Sequence, residues 1–184
     1  ALALREEDYT EQLYTVYSHD DLLFFTNQGR VYSVKCYEIP EAGRAARGTA
    51  IVNILPLLPD EKVTNMIPVP VEDRESQFLI MATRFGLIKK TPLKEFRSNR
   101  SAGLIAVKLR EGDSLIGAVL IEGGDVMLGT RRGKAIRFTD RQIRPSGRTS
   151  MGVRSMRLDT DDEVISLASI EEGAQVLCVT ELGY

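Results

Sequence analysis

Several stretches of this chain carry residues of the kind and spacing that do chemistry, and most of them fail on inspection. Gly129-Thr130-Arg131-Arg132-Gly133-Lys134-Ala135 has the glycines and lysine of a phosphate-cradling loop. It is one residue short between the glycines, and Ala135 stands where a magnesium-binding Ser or Thr is required. Asp159-Thr160-Asp161-Asp162-Glu163 begins like a calcium loop, but Val164 occupies the place of its glycine and Ile170 that of its bidentate Glu. It reads instead as an acidic turn between repeats. His19-Asp20 has no partner nucleophile and reads as an exposed turn. Cys36, Cys178 and the single His19 cannot make a zinc or cluster site within this chain. The two cysteines read as buried free thiols, with a disulfide as the alternative. Tyr9, Tyr14 and Tyr17 are expected to supply packing. No acid-base, nucleophile or metal constellation survives, so an independent enzyme is not expected.

What remains is cationic. Arg84, Arg131, Arg132 and Lys134 flank glycines at hairpin tips, Lys89, Lys90 and Arg137 open the strands that follow, and Arg154 follows a second glycine. Lys94, Arg97 and Arg100 lie in one loop, and Arg141, Arg144 and Arg148 lie in the next. Guanidinium and ammonium groups in such series neutralise successive phosphates of a duplex. Contacts of that type position nucleic acid without reading sequence, and no recognition helix or metal-braced finger is indicated.

The elements that must position these cations come from an internal repeat. Leu23 to Val31, Leu79 to Ile88, Val126 to Ala135 and Val176 to Gly183 share one frame, with key glycines at 29, 86, 133 and 183. A second glycine follows in three copies, Gly48, Gly103 and Gly152, after 19, 17 and 19 residues. The segments are short and rich in Val, Ile, Leu and Phe, with no helical stripe, so they read as strands. Thr-x-x-Gly between two of them suits a tight hairpin whose glycine takes positive φ. About four strands per copy of roughly 50 residues predicts propeller-type blades. The approximate units are 1–57, 58–109, 110–158 and an incomplete 159–184. A β-sandwich with accidental self-similarity is the alternative, and the absence of Trp removes the WD-type propeller.

The chain has 184 residues, 43% hydrophobic and 27% charged, enough to bury a core without disulfides. Its apolar runs are far short of a membrane span, and its amino end has no signal-peptide pattern. The net charge of -2 speaks against nucleic acid until it is divided along the repeat. Residues 30–47, 84–110 and 131–157 carry +2, +7 and +8, whereas 1–21, 60–75, 111–125 and 159–172 carry -5, -3, -4 and -6. In stacked copies equivalent positions align, so the basic segments are expected to form a band separate from the acids. The alternative is that these are solvated loop charges balanced by nearby carboxylates, or that the blades form a protein-interaction platform.

Residues 5–9, 19–26, 29–32, 37–42 and 47–57, together with Lys89-Lys90-Thr91 and Gly152-Val153-Arg154, resemble the carboxy-terminal domain of the bacterial DNA gyrase A protein. The resemblance implies an all-β fold, a six-bladed β-pinwheel of which this chain carries about three and a half blades. It implies double-stranded DNA as partner, wrapped on a basic outer rim, and negative supercoiling by a cytoplasmic, nucleoid-associated A2B2 complex with the gyrase B protein. ATP and Mg2+ are implied to act elsewhere in that complex, with no cofactor in this chain. The basic, glycine-rich box that the family normally carries just before the segment matching Arg5 to Tyr9 would lie ahead of Ala1, so its presence is left open. That leaves the equivalent domain of topoisomerase IV as a variant reading, and suggests a fragment that also stops within a repeat.

Overall fold

The computed structural model describes residues 9–43, 46–71, 76–96, 102–180 and 182–183. The regular elements among them are β-strands and short 3₁₀ turns. The strands are β1 (Asp21–Thr26), β2 (Arg30–Lys35), β3 (Val63–Val69), β4 (Phe78–Thr83), β5 (Leu87–Pro92) and β6 (Leu104–Ile105). They continue with β7 (Leu115–Ile121), β8 (Asp125–Thr130), β9 (Ala135–Thr139), β10 (Val153–Arg154) and β11 (Val164–Ile170). They form three antiparallel sheets, ordered β3-β1-β2-β6, β10-β5-β4-β7 and β11-β8-β9.

This order divides the chain differently from the units expected from glycine spacing. Val63–Val69, expected in the second unit, pairs with β1 in the first sheet, and β11, expected in the fourth, pairs with β8. The acidic segment before each of these strands is therefore a connection within a sheet, not between repeats. The fourth strand of a sheet comes from the next copy: Leu104–Ile105 pairs with Val31 and Arg30, and Val153–Arg154 pairs with Ile88 and Leu87. Hydrophobic pattern specifies which face of a strand is buried, but not which sheet it joins. The start of the fourth copy, Val176 to Gly183, carries no strand among its described residues.

The sheets stack face to face, which explains the unbroken apolar runs of the sequence. On β4, Leu79 and Met81 point into a core shared with Leu23, Phe25 and Val69 of the first sheet. Ile80 and Ala82 point the other way, against Val126, Leu128 and Val164 of the third. A strand covered on both faces needs no polar alternation, and Leu79, Ile80 and Ala82 are fully buried. Leu22 and Phe24, on the outer face of the first sheet, are covered by Leu55 together with Ile39, Ile51, Ile54 and Leu57. A register shift recurs at Phe25/Thr26, Ala82/Thr83 and Val164/Ser166, a bulge kept at the hairpin end of each sheet.

Three smaller expectations are revised. Cys36 is half-buried and Cys178 is exposed, because residues 174–180 have no strand to cover the latter; both are free thiols. Tyr9 and Tyr17 stay largely exposed, whereas Tyr14 donates to Met66 O at 3.0 Å and Val16 packs beneath the first sheet, tying the amino segment down. His19 is exposed, but Asp20 is buried and accepts from Tyr17 N at 2.9 Å, closing the turn before β1.

Candidate nucleic-acid interface

The hairpin tips repeat one local chemistry. Gly29, Gly86 and Gly133 have φ of 73, 77 and 81°, and each donates its N–H to the carbonyl of Thr26, Thr83 or Thr130 at 3.0 Å. The buried threonine hydroxyl accepts a second bond, from the N–H of Arg30, Leu87 or Lys134 at 3.4, 3.2 and 3.1 Å. The acidic connection then folds back over the tip. Glu61 accepts from Thr26 Oγ1 at 2.7 Å, Asp113 from Phe85 N at 3.0 Å and Asp162 from Arg132 N at 3.1 Å. Burial opposes the charge on Asp162, but hydrogen bonds from Thr130 and from the N–H groups of Arg132 and Glu163 prevail and hold its carboxyl below the usual range. Burial, with the Glu61 carboxylate next, raises Tyr32 above the ordinary phenol range, and its hydroxyl donates to Glu61 at 2.7 Å.

The basic tips and acidic turns, distant in sequence, thus meet. Arg84 and Arg131 both approach Glu163, at 3.8 and 3.4 Å, and Lys134 reaches Asp159 at 2.5 Å. Arg137 pairs with Asp125 at 2.7 Å across the β8–β9 hairpin. The expectation of cations kept apart from carboxylates is corrected here, because β11 pairs beside β8 and carries its acidic turn to the same end of the sheet.

Lys89 and Lys90 are also revised, being 1% and 6% exposed. They are consecutive on β5, opposite Met81 and Ile80, so they point to opposite faces of a sheet covered on both sides. Lys90 Nζ bonds the buried Asp140 carboxylate of the third copy and lies 4.3 Å from the centre of the Phe78 ring. Lys89 Nζ donates to the carbonyls of Ala106 at 2.7 Å, Arg148, and Ser150 at 3.2 Å. Burial, helped by the charge of Arg148, lowers its ammonium to about 8. Neither lysine can meet a phosphate.

Several cations near the sheets' outer edges have no acidic partner among the described residues. β7 adjoins both β3 and β11, so the sheets' opposite edges, ending in β6, β10 and β9, face outward. On the way to those edges the chain makes a 3₁₀ turn, Leu93–Phe96 or Asp140–Gln142, and after the second of these it crosses the outer surface as a strap. Arg141 and Arg144 are exposed on the second crossing, and neither has a side-chain partner among the described residues. Arg132 at a tip and Arg154 on β10 are likewise exposed and unpaired among the described residues. Arg148 is half-exposed and donates to Ile105 O at 3.3 Å, bridging two outer edges. Lys94 is exposed in the first of these turns; Arg97 and Arg100 lie outside the described residues. Lys108, Arg110 and Arg157 are exposed too; they stand just behind Gly103 and Gly152, a recurrent position that could have marked them in the sequence.

The family described as DNA gyrase C-terminal domain, β-propeller, matches residues 20–70, 77–122 and 124–171, one segment for each sheet. This chain belongs to that family. The DNA gyrase A protein of Salmonella typhimurium is 45% identical over 185 residues, covering 100% of this chain and 21% of that protein. The gyrase A protein of Mycobacterium tuberculosis is 43% identical over 184 residues, covering 98% and 22%. The chain thus spans about a fifth of the length of these gyrase relatives. Among solved structures, the C-terminal domain of DNA topoisomerase IV matches with a TM-score of 0.77 at 30% identity, over 84% of this chain and 48% of that one. A DNA gyrase A C-terminal domain matches at 0.69 and 25%, over 85% and 50%. The gyrase C-terminal domain is all-β and propeller-like, in agreement with the sequence reading.

Proposed function

We propose that this gyrase C-terminal domain binds duplex DNA on its outer perimeter and bends it into a wrap. The observation that carries the reading is the strap between β9 and β10, which presents Arg141 and Arg144 exposed and unpaired among the described residues, while Arg131 and Lys134 at the neighbouring tip face carboxylates. Contacts of this type neutralise phosphates and leave sequence unread. Within the complete topoisomerase, a wrap supports ATP-dependent negative supercoiling by an A2B2 assembly with the gyrase B protein, and cutting and ATP hydrolysis belong to other domains.

Titrating mixed-sequence duplex by gel shift tests the binding. Log affinity should fall by about 0.9 per log unit of salt for each phosphate neutralised. No retardation at micromolar protein would favour a protein-interaction platform instead. Ligating a nicked circle with and without the chain tests the wrap: a changed linking number is expected. A topoisomerase IV-like domain, favoured by the TM-score of 0.77, would bind but shift linking number less.

A further inference from the structure

Lys89 is the one buried cation of the described residues that faces carbonyls instead of a carboxylate. Its three acceptors come from two different outer segments. Ala106 follows β6 on the edge of the first sheet, while Arg148 and Ser150 belong to the strap that leads to β10 on the edge of the second. The strap has other anchors at its ends. Ile143 is buried, Ser146 N donates to Lys90 O at 2.8 Å, and β10 pairs with β5. Between them the turn from Gly147 to Ser150 rises over the sheet, and its inward carbonyls converge on Lys89. At the equivalent place in the first sheet stands Tyr32, whose ring packs under Gly103, and in the third stands Ile136. An ammonium offers three donors and no acceptor, so it satisfies three converging carbonyls at once, which accounts for a lysine where the other copies use an aromatic or aliphatic side chain.

We propose that Lys89 is a positioning residue for the DNA rim, holding the arginine-bearing strap against the outer edges of two sheets without touching DNA itself. The part that concerns DNA rests on the function proposed above; the part that concerns the strap does not. Lys89→Met keeps the stem and removes the donors. In the full chain without DNA, amide hydrogen exchange should accelerate at residues 146–150 and stay unchanged in β4. Duplex affinity should fall about tenfold, an effect transmitted through the strap. In an Arg144→Ala/Arg148→Ala background the same substitution should cost no further affinity, which a general loss of stability would not produce. If Lys89→Met does not fold, Lys89→Gln, which keeps an N–H donor without charge, gives the same pattern at smaller size. Unchanged exchange in the strap, or an equal affinity loss in both backgrounds, overturns the proposal. Absence of duplex binding by the unmodified chain would sink the DNA reading alone, because exchange still decides what Lys89 holds.

Discussion

Two adjacent lysines show how far residue type alone reaches. Lys89-Lys90 reads in sequence as part of a basic run, but a strand sends neighbours to opposite faces, and this sheet has no solvent face. Each ammonium has been absorbed by a buried partner. Removing one member of the Lys90–Asp140 pair strands the other charge, so Asp140→Ala should lower stability by about 3–5 kcal/mol in urea unfolding. The double change Lys90→Met/Asp140→Leu should recover most of that loss. Lys89 behaves differently with pH. Its native value of about 8 lies below the ordinary 10.5, so the native state favours the neutral amine. That contribution is fully present above 10.5 and lost as pH falls through 8. Unfolding free energy of the unmodified chain, relative to Lys89→Met, should therefore rise between pH 8 and 10, by on the order of 2 kcal/mol. A flat difference would mean that burial does not depress this group. No signal in the sequence marks either lysine as internal, because their partners lie 17 to 61 residues away.

Glycine spacing is readable at the scale of the element, but its physical cause differs between positions. The first glycine of each copy ends a hairpin, and a Cβ at Gly133 would meet nothing within 4 Å. Gly133→Ala should cost only the strain of positive φ, about 1–2 kcal/mol. Gly103 and Gly152, the second glycines of the later copies, let one copy dock on another, as Gly29 also does where a Cβ would lie 2.6 Å from the Val107 carbonyl. A Cβ at Gly152 would collide with the Ile88 carbonyl, and one at Gly103 would lie 2.6 Å from the Tyr32 ring. Gly152→Ala should therefore part β10 from β5 and cost more than Gly133→Ala, by about 2 kcal/mol or more. Urea midpoints of the two variants at equal slope decide this. The hairpins follow from Thr-x-x-Gly and the flanking apolar runs. The strand loan does not, since pairing of Leu104 with Val31 bridges two copies and leaves no local pattern.

Across the whole molecule the decisive quantity is where charge remains uncompensated. Arg141→Glu/Arg144→Glu should weaken duplex binding at least tenfold at low salt and reduce the salt slope by about 2. Arg131→Glu/Lys134→Glu, at tips already facing Glu163 and Asp159, should weaken it less and shift the slope by under 1. Filter binding over a salt series separates the two, and equal effects would return the tips to the DNA surface. Strand character, the repeat, its hairpin turns, the family and the in-phase clustering of basic segments are all legible in the order of the residues. Each of these rests on neighbours within about ten residues, or on recurrence in a frame. Which strands share a sheet, which lysines are internal and which arginines stay unpaired emerge only when the sheets assemble. Sheet pairing is non-local, and it brought acidic turns onto the basic tips while leaving Arg141 and Arg144 of the outer strap without carboxylate partners among the described residues.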